Sequence, residues 1–63
     1  MNCVVFKLDE RLHEKLIKFY KAYEIKTPPH AKFAAKNYDV TITLYEKGKV
    51  MFQGIGADIE ASI

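Results

Sequence analysis

The spacing of apolar positions changes twice along the chain. The run from residue 2 to residue 8 is apolar and rich in β-branched side chains, which predicts a strand. From residue 10 the apolar positions recur every three or four residues, which predicts a helix of about fifteen residues. Asp9 is its predicted N-cap, and the helix ends before Thr27-Pro28-Pro29, because a proline forces the preceding residue out of helical backbone. The predicted buried stripe is Leu12, Leu16, Phe19, Tyr20 and Tyr23.

Three further strands are predicted at residues 31–36, 40–45 and 49–53, with Asn37-Tyr38-Asp39 turning the chain between the first two. Gly54 and Gly56 break the last strand, and a second helix begins at Ala57 and has about two turns in this sequence. The order β-α-β-β-β-α predicts an α+β fold. We expect one domain over residues 1–63, an antiparallel sheet of about four strands with one full helix and the start of a second.

The register of the last hairpin follows from how each loop length sorts the side chains. A two-residue loop would mix apolar and polar residues on both faces, whereas a three-residue loop with Gly48 in a left-handed bulge separates them. The predicted core face is Val40, Ile42, Leu44, Val50 and Phe52. The predicted exposed face is Thr41, Thr43, Tyr45, Lys49, Met51 and Gln53. From composition alone this second face is either a ligand-binding surface or the ordinary solvated face of an antiparallel sheet.

Charge and cysteine content narrow the partners and the compartment. The net charge is only +2, but five lysines lie between Lys26 and Lys49 against two acids, Asp39 and Glu46. This distribution places positive charge where the strands are predicted. The single cysteine, Cys3, cannot form an internal disulfide and is expected as a small core residue. The sequence begins without a basic leader and has no apolar run long enough for a membrane span, so we expect a cytoplasmic location and no membrane partner.

The hairpin stretch from Tyr45 to Gly54, with Phe33-Ala34-Ala35 before it, resembles one repeat of the TATA-binding-protein saddle. The chain is similar over its whole length to the N-terminal domain of bacterial ribonuclease HIII. The residues that carry this second resemblance are Thr27-Pro28-Pro29, Ala31, Phe33, Ala35-Lys36, Thr41-Ile42-Thr43, Tyr45, Gly48 to Gly54 and Gly56-Ala57.

The resemblance implies a half-saddle fold and a non-catalytic module that holds RNA–DNA hybrid for a ribonuclease H-type catalytic domain. In the TATA-binding protein the open sheet face grips the minor groove with apolar side chains and wedge phenylalanines. Phe33 and Tyr45 match wedge positions, although a tyrosine at the second favours stacking over intercalation. Met51 matches an apolar groove contact and Gln53 a polar one. The expected nucleic-acid-binding residues are Phe33, Lys36, Thr41, Thr43, Tyr45, Lys49, Met51 and Gln53.

No catalytic or metal-binding constellation is predicted in this chain. A ribonuclease H site needs about four carboxylates converging on two metal ions, whereas the acids here are scattered over the helix, the turns and the end of the chain. His13 and His30 have no second ligand at metal spacing, and each is expected as a solvated or edge histidine. We therefore expect no nuclease activity and no cofactor for this chain. Mg or Mn is expected only for the catalytic domain of a longer protein.

A second class of function stays open at this point. The same exposed face, or an open strand edge, fits a protein-interaction or dimerisation module. The second helix should cover part of the sheet with a stripe that begins at Ile59 and Ile63, and with only two turns of it we expect open apolar surface and self-association.

Overall fold

The computed structural model describes residues 2–62 and confirms the predicted order of elements. The strands are β1 (Asn2–Lys7), β2 (Ala31–Asn37), β3 (Val40–Tyr45) and β4 (Lys49–Gly54), and the helices are α1 (His13–Tyr20) and α2 (Ala57–Ala61). Short 3-10 turns at Glu10–Leu12 and Lys21–Tyr23 extend α1 at both ends, so the helical segment has nearly the predicted length. Ile59, expected to begin the buried stripe of the second helix, is 68% exposed, so that prediction is wrong, and Ile63, the other expected position, lies outside the described residues.

All strand pairs are antiparallel, in the order β1-β4-β3-β2. The predicted hairpin register is confirmed, because Leu44 pairs with Val50 and Ile42 with Phe52. Gly48 closes the three-residue loop with a φ of 99°, which L side chains rarely adopt, and its N–H donates to the Tyr45 carbonyl at 2.9 Å. Its fixed geometry therefore decides which side chains of β3 and β4 face the helices.

The core lies between the sheet and α1, and the five residues of the predicted core face are all buried. Phe33, expected as an exposed wedge, is also buried at 2% exposure and belongs to this core, so that prediction is wrong. Phe33 pairs with Leu44, whose side chain faces the helices, and a register shift between Ala31 and Phe33 marks a bulge just before it. Cross-strand partners share a face, and Phe33 therefore points inward with Leu44.

The helical segment packs through a face rotated by about one residue from the predicted stripe. Its buried side chains are His13 and Tyr20, with Leu16 and Ile17 half-buried between them. Leu12, Phe19 and Tyr23 are substantially exposed, so these three positions of the prediction are wrong. Asp9 does accept a hydrogen bond from the Arg11 N–H at 2.8 Å, which confirms it as the cap.

His13 is buried, at 7% exposure, where the sequence predicts a solvated or edge side chain. Its Nε2 lies 3.0 Å from the Leu8 carbonyl oxygen and its Nδ1 lies 3.3 Å from Lys32 Nζ. Both ring nitrogens therefore have polar partners, which lowers the free-energy cost of burying the imidazole. The side chain joins α1 to the end of β1 and to the bulge in β2. His30, in contrast, is exposed as expected.

The second helix is held at its base by a close backbone contact and at its end by α1. Gly54 has a φ of 141°, and a Cβ there would overlap the Asp39 carbonyl oxygen in the β2–β3 turn. At the other end the Tyr20 hydroxyl donates to Glu60 Oε2 at 2.6 Å. Burial and this carboxylate raise the pKa of Tyr20. These contacts place the short helix over the Gly54 end of the sheet.

An open apolar groove of about 350 Å³ remains between α1, the end of α2 and the strands β1 and β4. Leu12, Leu16 and Phe19 line it from the helical segment, and Phe6, Val50 and Phe52 from the sheet. This agrees with the expectation of open apolar surface next to the second helix. Within residues 2–62, no helix is both long enough and apolar enough to span a membrane.

Candidate nucleic-acid interface

The sheet surface that faces away from the helices, which we call the outer face, consists of three rows of cross-strand neighbours. The amide row is Cys3, Gln53, Thr41 and Lys36. The central row is Val5, Met51, Thr43 and Ala34. The lysine row is Lys7, Lys49, Tyr45 and Ala31, in which Tyr45 and Lys49 flank the hairpin loop.

Seven of the eight expected binding residues lie on this face, and Phe33 is the exception described above. Lys36, Lys49 and Gln53 are exposed, and Thr41, Tyr45 and Met51 are half-buried. Thr43 is buried at 3% exposure, so its predicted exposure is wrong. It sits in the middle of the central row between Met51 and Ala34, and its short side chain is covered by these neighbours and by those along β3. Direct contact with a large ligand therefore falls to the residues around Thr43.

Strand β1 adds three outer-face residues that the sequence analysis did not include. Cys3 pairs with Gln53, Val5 with Met51 and Lys7 with Lys49. Cys3 is exposed rather than part of the core, so the core prediction for it is wrong. The sequence feature that points to these three residues is the alternation of side chains within β1, in which Val4 and Phe6 face the core. That alternation gives two faces but does not tell which strand β1 pairs with or which of its faces is buried.

The two sides of the sheet differ sharply in charge. The three rows of the outer face carry Lys7, Lys36 and Lys49 and no carboxylate. On the helical segment, by contrast, acids and bases neutralise one another. Its ion pairs are Arg11–Asp9, Lys18–Glu14 and Lys21–Glu24. Hydrogen bonds from the Arg11 side chain and backbone hold the pKa of Asp9 below its usual value. Within residues 2–62, positive charge that no acid neutralises therefore lies more on the outer face of the sheet than on the helix side.

The lysine row opens into a shallow depression of about 550 Å³ at the hairpin end of the sheet. Its walls are Lys7, His30, Tyr45, Glu46, Lys47 and Lys49. His30 has a φ of 67°, and its carbonyl accepts from the Glu46 N–H at 3.0 Å, which ties the segment before β2 to the hairpin loop. The depression thus has a basic lining on a fixed backbone frame.

Residues 2–62 bring no three His, Cys, Asp or Glu side chains together in a way that would hold a metal ion. Asp9, Glu14 and Glu24 pair with bases, and Glu60 accepts a hydrogen bond from Tyr20 that bridges α2 to α1. The donor set needed for two-metal hydrolysis is therefore not assembled by these residues. What the outer face can do chemically is bind, through ammonium groups, hydroxyls, an amide and apolar patches.

Residues 3–63 match a family model described as a domain of unknown function, DUF3378. The chain belongs to this family. It is 39% identical over 61 residues to ribonuclease HIII of Exiguobacterium sibiricum and 43% identical over 62 residues to ribonuclease HIII of Listeria monocytogenes. Each alignment covers 97% of this chain and 20% of the relative. A crystal structure of Bst-RNase HIII in complex with Mn²⁺ superimposes with a TM-score of 0.86 at 38% identity, again over 97% of this chain and 20% of that one.

The chain therefore spans about one fifth of the length of the relatives that it matches. The matching part is the N-terminal region of ribonuclease HIII, and the catalytic region is not covered. Both the resemblance to the N-terminal domain of ribonuclease HIII and the α+β fold are confirmed by these matches. The comparison fits a non-catalytic domain of a ribonuclease H.

Proposed function

We propose that this domain holds RNA–DNA hybrid for a ribonuclease H-type catalytic domain in the same longer protein. The observation that carries the proposal is the outer face itself, an open sheet surface with three lysines, no carboxylate and a mixed apolar and hydrogen-bonding centre. Polyanion binding requires cations that are not already neutralised by acids. The relatives are named ribonuclease HIII, and a ribonuclease name supports a nucleic acid as the polyanion.

The three rows would make different kinds of contact with the hybrid. The lysines neutralise backbone phosphates and release counterions, which supplies affinity without reading sequence. Gln53 and Thr41 offer hydrogen bonds to sugars and groove edges, and 2′-hydroxyls are the groups that distinguish the RNA strand. Tyr45 is half-buried and held beside the hairpin loop, which suits stacking against a sugar or base more than insertion between bases. Met51 and Val5 supply apolar contact between the two polar rows.

The direct test is titration of a fluorescently labelled RNA–DNA hybrid with the domain at several salt concentrations. Lys36→Ala should weaken binding and lower the slope of log K against log salt by about one unit, because it removes roughly one phosphate contact. The matched control is Lys15→Ala on α1, an exposed lysine on the opposite side of the sheet. Equal losses in the two variants, or no binding by the parent at low salt, would contradict the proposal.

A protein-interaction role is the second candidate, and the edge position of β1 favours it. β1 pairs only with β4 within the sheet, so its other side presents backbone groups to which another strand can add. The edge of β2, by contrast, is partly covered, because the Ile25 N–H donates to the Ala34 carbonyl at 2.9 Å. Binding through the β1 edge should be nearly independent of salt, and binding of hybrid should not be.

We further propose that the longer protein works in the cytoplasm, where the exposed thiol of Cys3 stays reduced. Mg or Mn would be held by its catalytic domain. The residues described for this chain have the donors to bind nucleic acid but do not gather the carboxylates that such ions need.

A further inference from the structure

Lys7 and Lys49 are register partners on neighbouring antiparallel strands, and both side chains point to the outer face. Directly opposed side chains in such a pair have Cβ atoms about 4.5–5.5 Å apart, and like charges placed this way destabilise a sheet. If only the stability of the sheet mattered, we would expect opposite charges or neutral residues at these two positions. The arrangement therefore calls for a reason outside the folded chain.

No acid compensates the pair among the residues that the structure describes. Neither lysine belongs to any of the ion pairs found in residues 2–62, although six other charged side chains do form such pairs. Glu46 also lines the depression, where it is the one carboxylate beside Lys7, Lys47 and Lys49. Tyr45, on the same row, also lines the depression and carries a neutral hydroxyl donor. The depression therefore has two opposed ammonium groups, an adjacent hydroxyl and an opening to solvent.

We propose that Lys7 and Lys49 together bind a single phosphate group of the nucleic-acid backbone. The proposal rests on the proposed function and adds to it a defined phosphate site, formed jointly by the first and last strands of the sheet. A phosphate between the two ammonium groups converts their repulsion into two attractions. Because the site lies at the hairpin end of the outer face, it fixes where one strand of the hybrid crosses the sheet. The remaining rows then contact the adjoining sugars and groove.

This assignment makes stability and binding respond in opposite directions. Lys7→Gln or Lys49→Gln removes the repulsion from the free domain, so its melting temperature in low salt should rise or stay unchanged while hybrid binding weakens. Lys36→Gln is the matched control, because Lys36 lies on the same outer face but pairs with Thr41 instead of another lysine. It should weaken hybrid binding without raising the melting temperature.

A second readout uses inorganic phosphate alone. The melting temperature of the parent should rise more in sodium phosphate than in sodium chloride of equal ionic strength, since a ligand that binds only the folded state stabilises it. That difference should shrink in Lys7→Gln and in Lys49→Gln and should persist in Lys36→Gln. Comparing variants in the same buffers cancels the general stabilising effect of phosphate salts.

The salt dependence of hybrid binding tells one shared phosphate from two separate ones. With a shared phosphate, the Lys7→Gln, Lys49→Gln double variant should lose about one unit of salt slope in total. A loss of about two units, or a phosphate effect on melting that survives in the double variant, would overturn the proposal. Unchanged hybrid binding in the double variant, with binding still sensitive to Gln53→Ala, would remove the phosphate site and leave the proposed function standing. If the parent responds to phosphate but does not bind hybrid, the phosphate site would stand and the proposed function would be contradicted.

Discussion

Substitution of Phe52 and of Tyr45 should separate stability from binding, because the two rings lie on opposite sides of the same hairpin. Phe52 is 4% exposed, faces Ile42 and Val4 across the neighbouring strands, and stacks on Phe6 with ring centroids 6.0 Å apart. Removing a buried phenylalanine ring costs about 3–5 kcal/mol. A domain of this size has a total stability of roughly 3–9 kcal/mol, from about 0.05–0.15 kcal/mol per residue. Phe52→Ala should therefore remove about a third or more of the stability of the domain.

Tyr45→Ala should have the opposite profile. The ring is half-buried on the outer face, so its truncation should cost less than about 1.5 kcal/mol of stability, as for a residue outside the core. If the ring stacks on a base or sugar, binding of hybrid should weaken by about 1–3 kcal/mol. This corresponds to a roughly 5- to 150-fold increase in Kd, at about 1.4 kcal/mol per factor of ten.

The assay is urea unfolding followed by circular dichroism, together with hybrid titration of every variant that is folded. Phe52→Leu gives a graded core change of up to about 1.5 kcal/mol, so the core position can be tested even if Phe52→Ala does not fold. A strongly destabilised Tyr45→Ala beside an unaffected Phe52→Leu would refute the hairpin register. A folded Tyr45→Ala with the parent's affinity for hybrid would refute the use of this part of the outer face.

Three further predictions concern the helix side. Burial and Glu60 raise the pKa of Tyr20 above 10.0. The neutral hydroxyl therefore stabilises the fold below about pH 10, and this contribution is lost as the pH rises. The urea midpoint of Tyr20→Phe should accordingly change less than that of the parent between about pH 9 and about pH 11. His13→Ala should lower the free energy of unfolding by about 1–3 kcal/mol, because it leaves the Leu8 carbonyl without its side-chain partner. The control is His30→Ala, at an exposed position, which should change the free energy of unfolding by less than about 0.5 kcal/mol. The isolated domain should self-associate through the apolar groove, and Phe19→Lys should shift sedimentation velocity profiles toward the monomer; a concentration-independent monomer for the parent would contradict this.

The strand side of the fold is predictable from this sequence because two independent constraints agree. The alternation of Val40, Ile42 and Leu44 sets one face, and Gly48 limits the loop to a geometry that brings Val50 and Phe52 to the same face. A shift of one residue would expose every one of these side chains, so the register has no close competitor. The exposed residues of β3 and β4 follow from the same argument.

The errors share a different physical origin, which is contact between one secondary-structure element and another. His13 is polar, so the sequence predicts it outside the buried stripe, yet the Leu8 carbonyl and Lys32 provide its partners only after folding. Cys3 is apolar, so the sequence predicts it in the core, yet its pairing with Gln53 turns it to the outer face. The wedge role for Phe33 came from a resemblance, and the pairing of Phe33 with Leu44 takes precedence over it. Periodicity within one segment contains none of these pairings.

The pairing of the first strand with the last has a consequence for how the domain comes into being. Asn2 lies opposite Gly54, so β1 cannot take its place in the sheet until β4 has left the ribosome. The β2–β3–β4 meander joins neighbours in sequence and should form first, since short loops close at low entropic cost. During synthesis β1 would wait as an unpaired apolar segment, and β4 would wait with an open edge. We expect hydrogen exchange during refolding to protect the amides of β3 before those of β1.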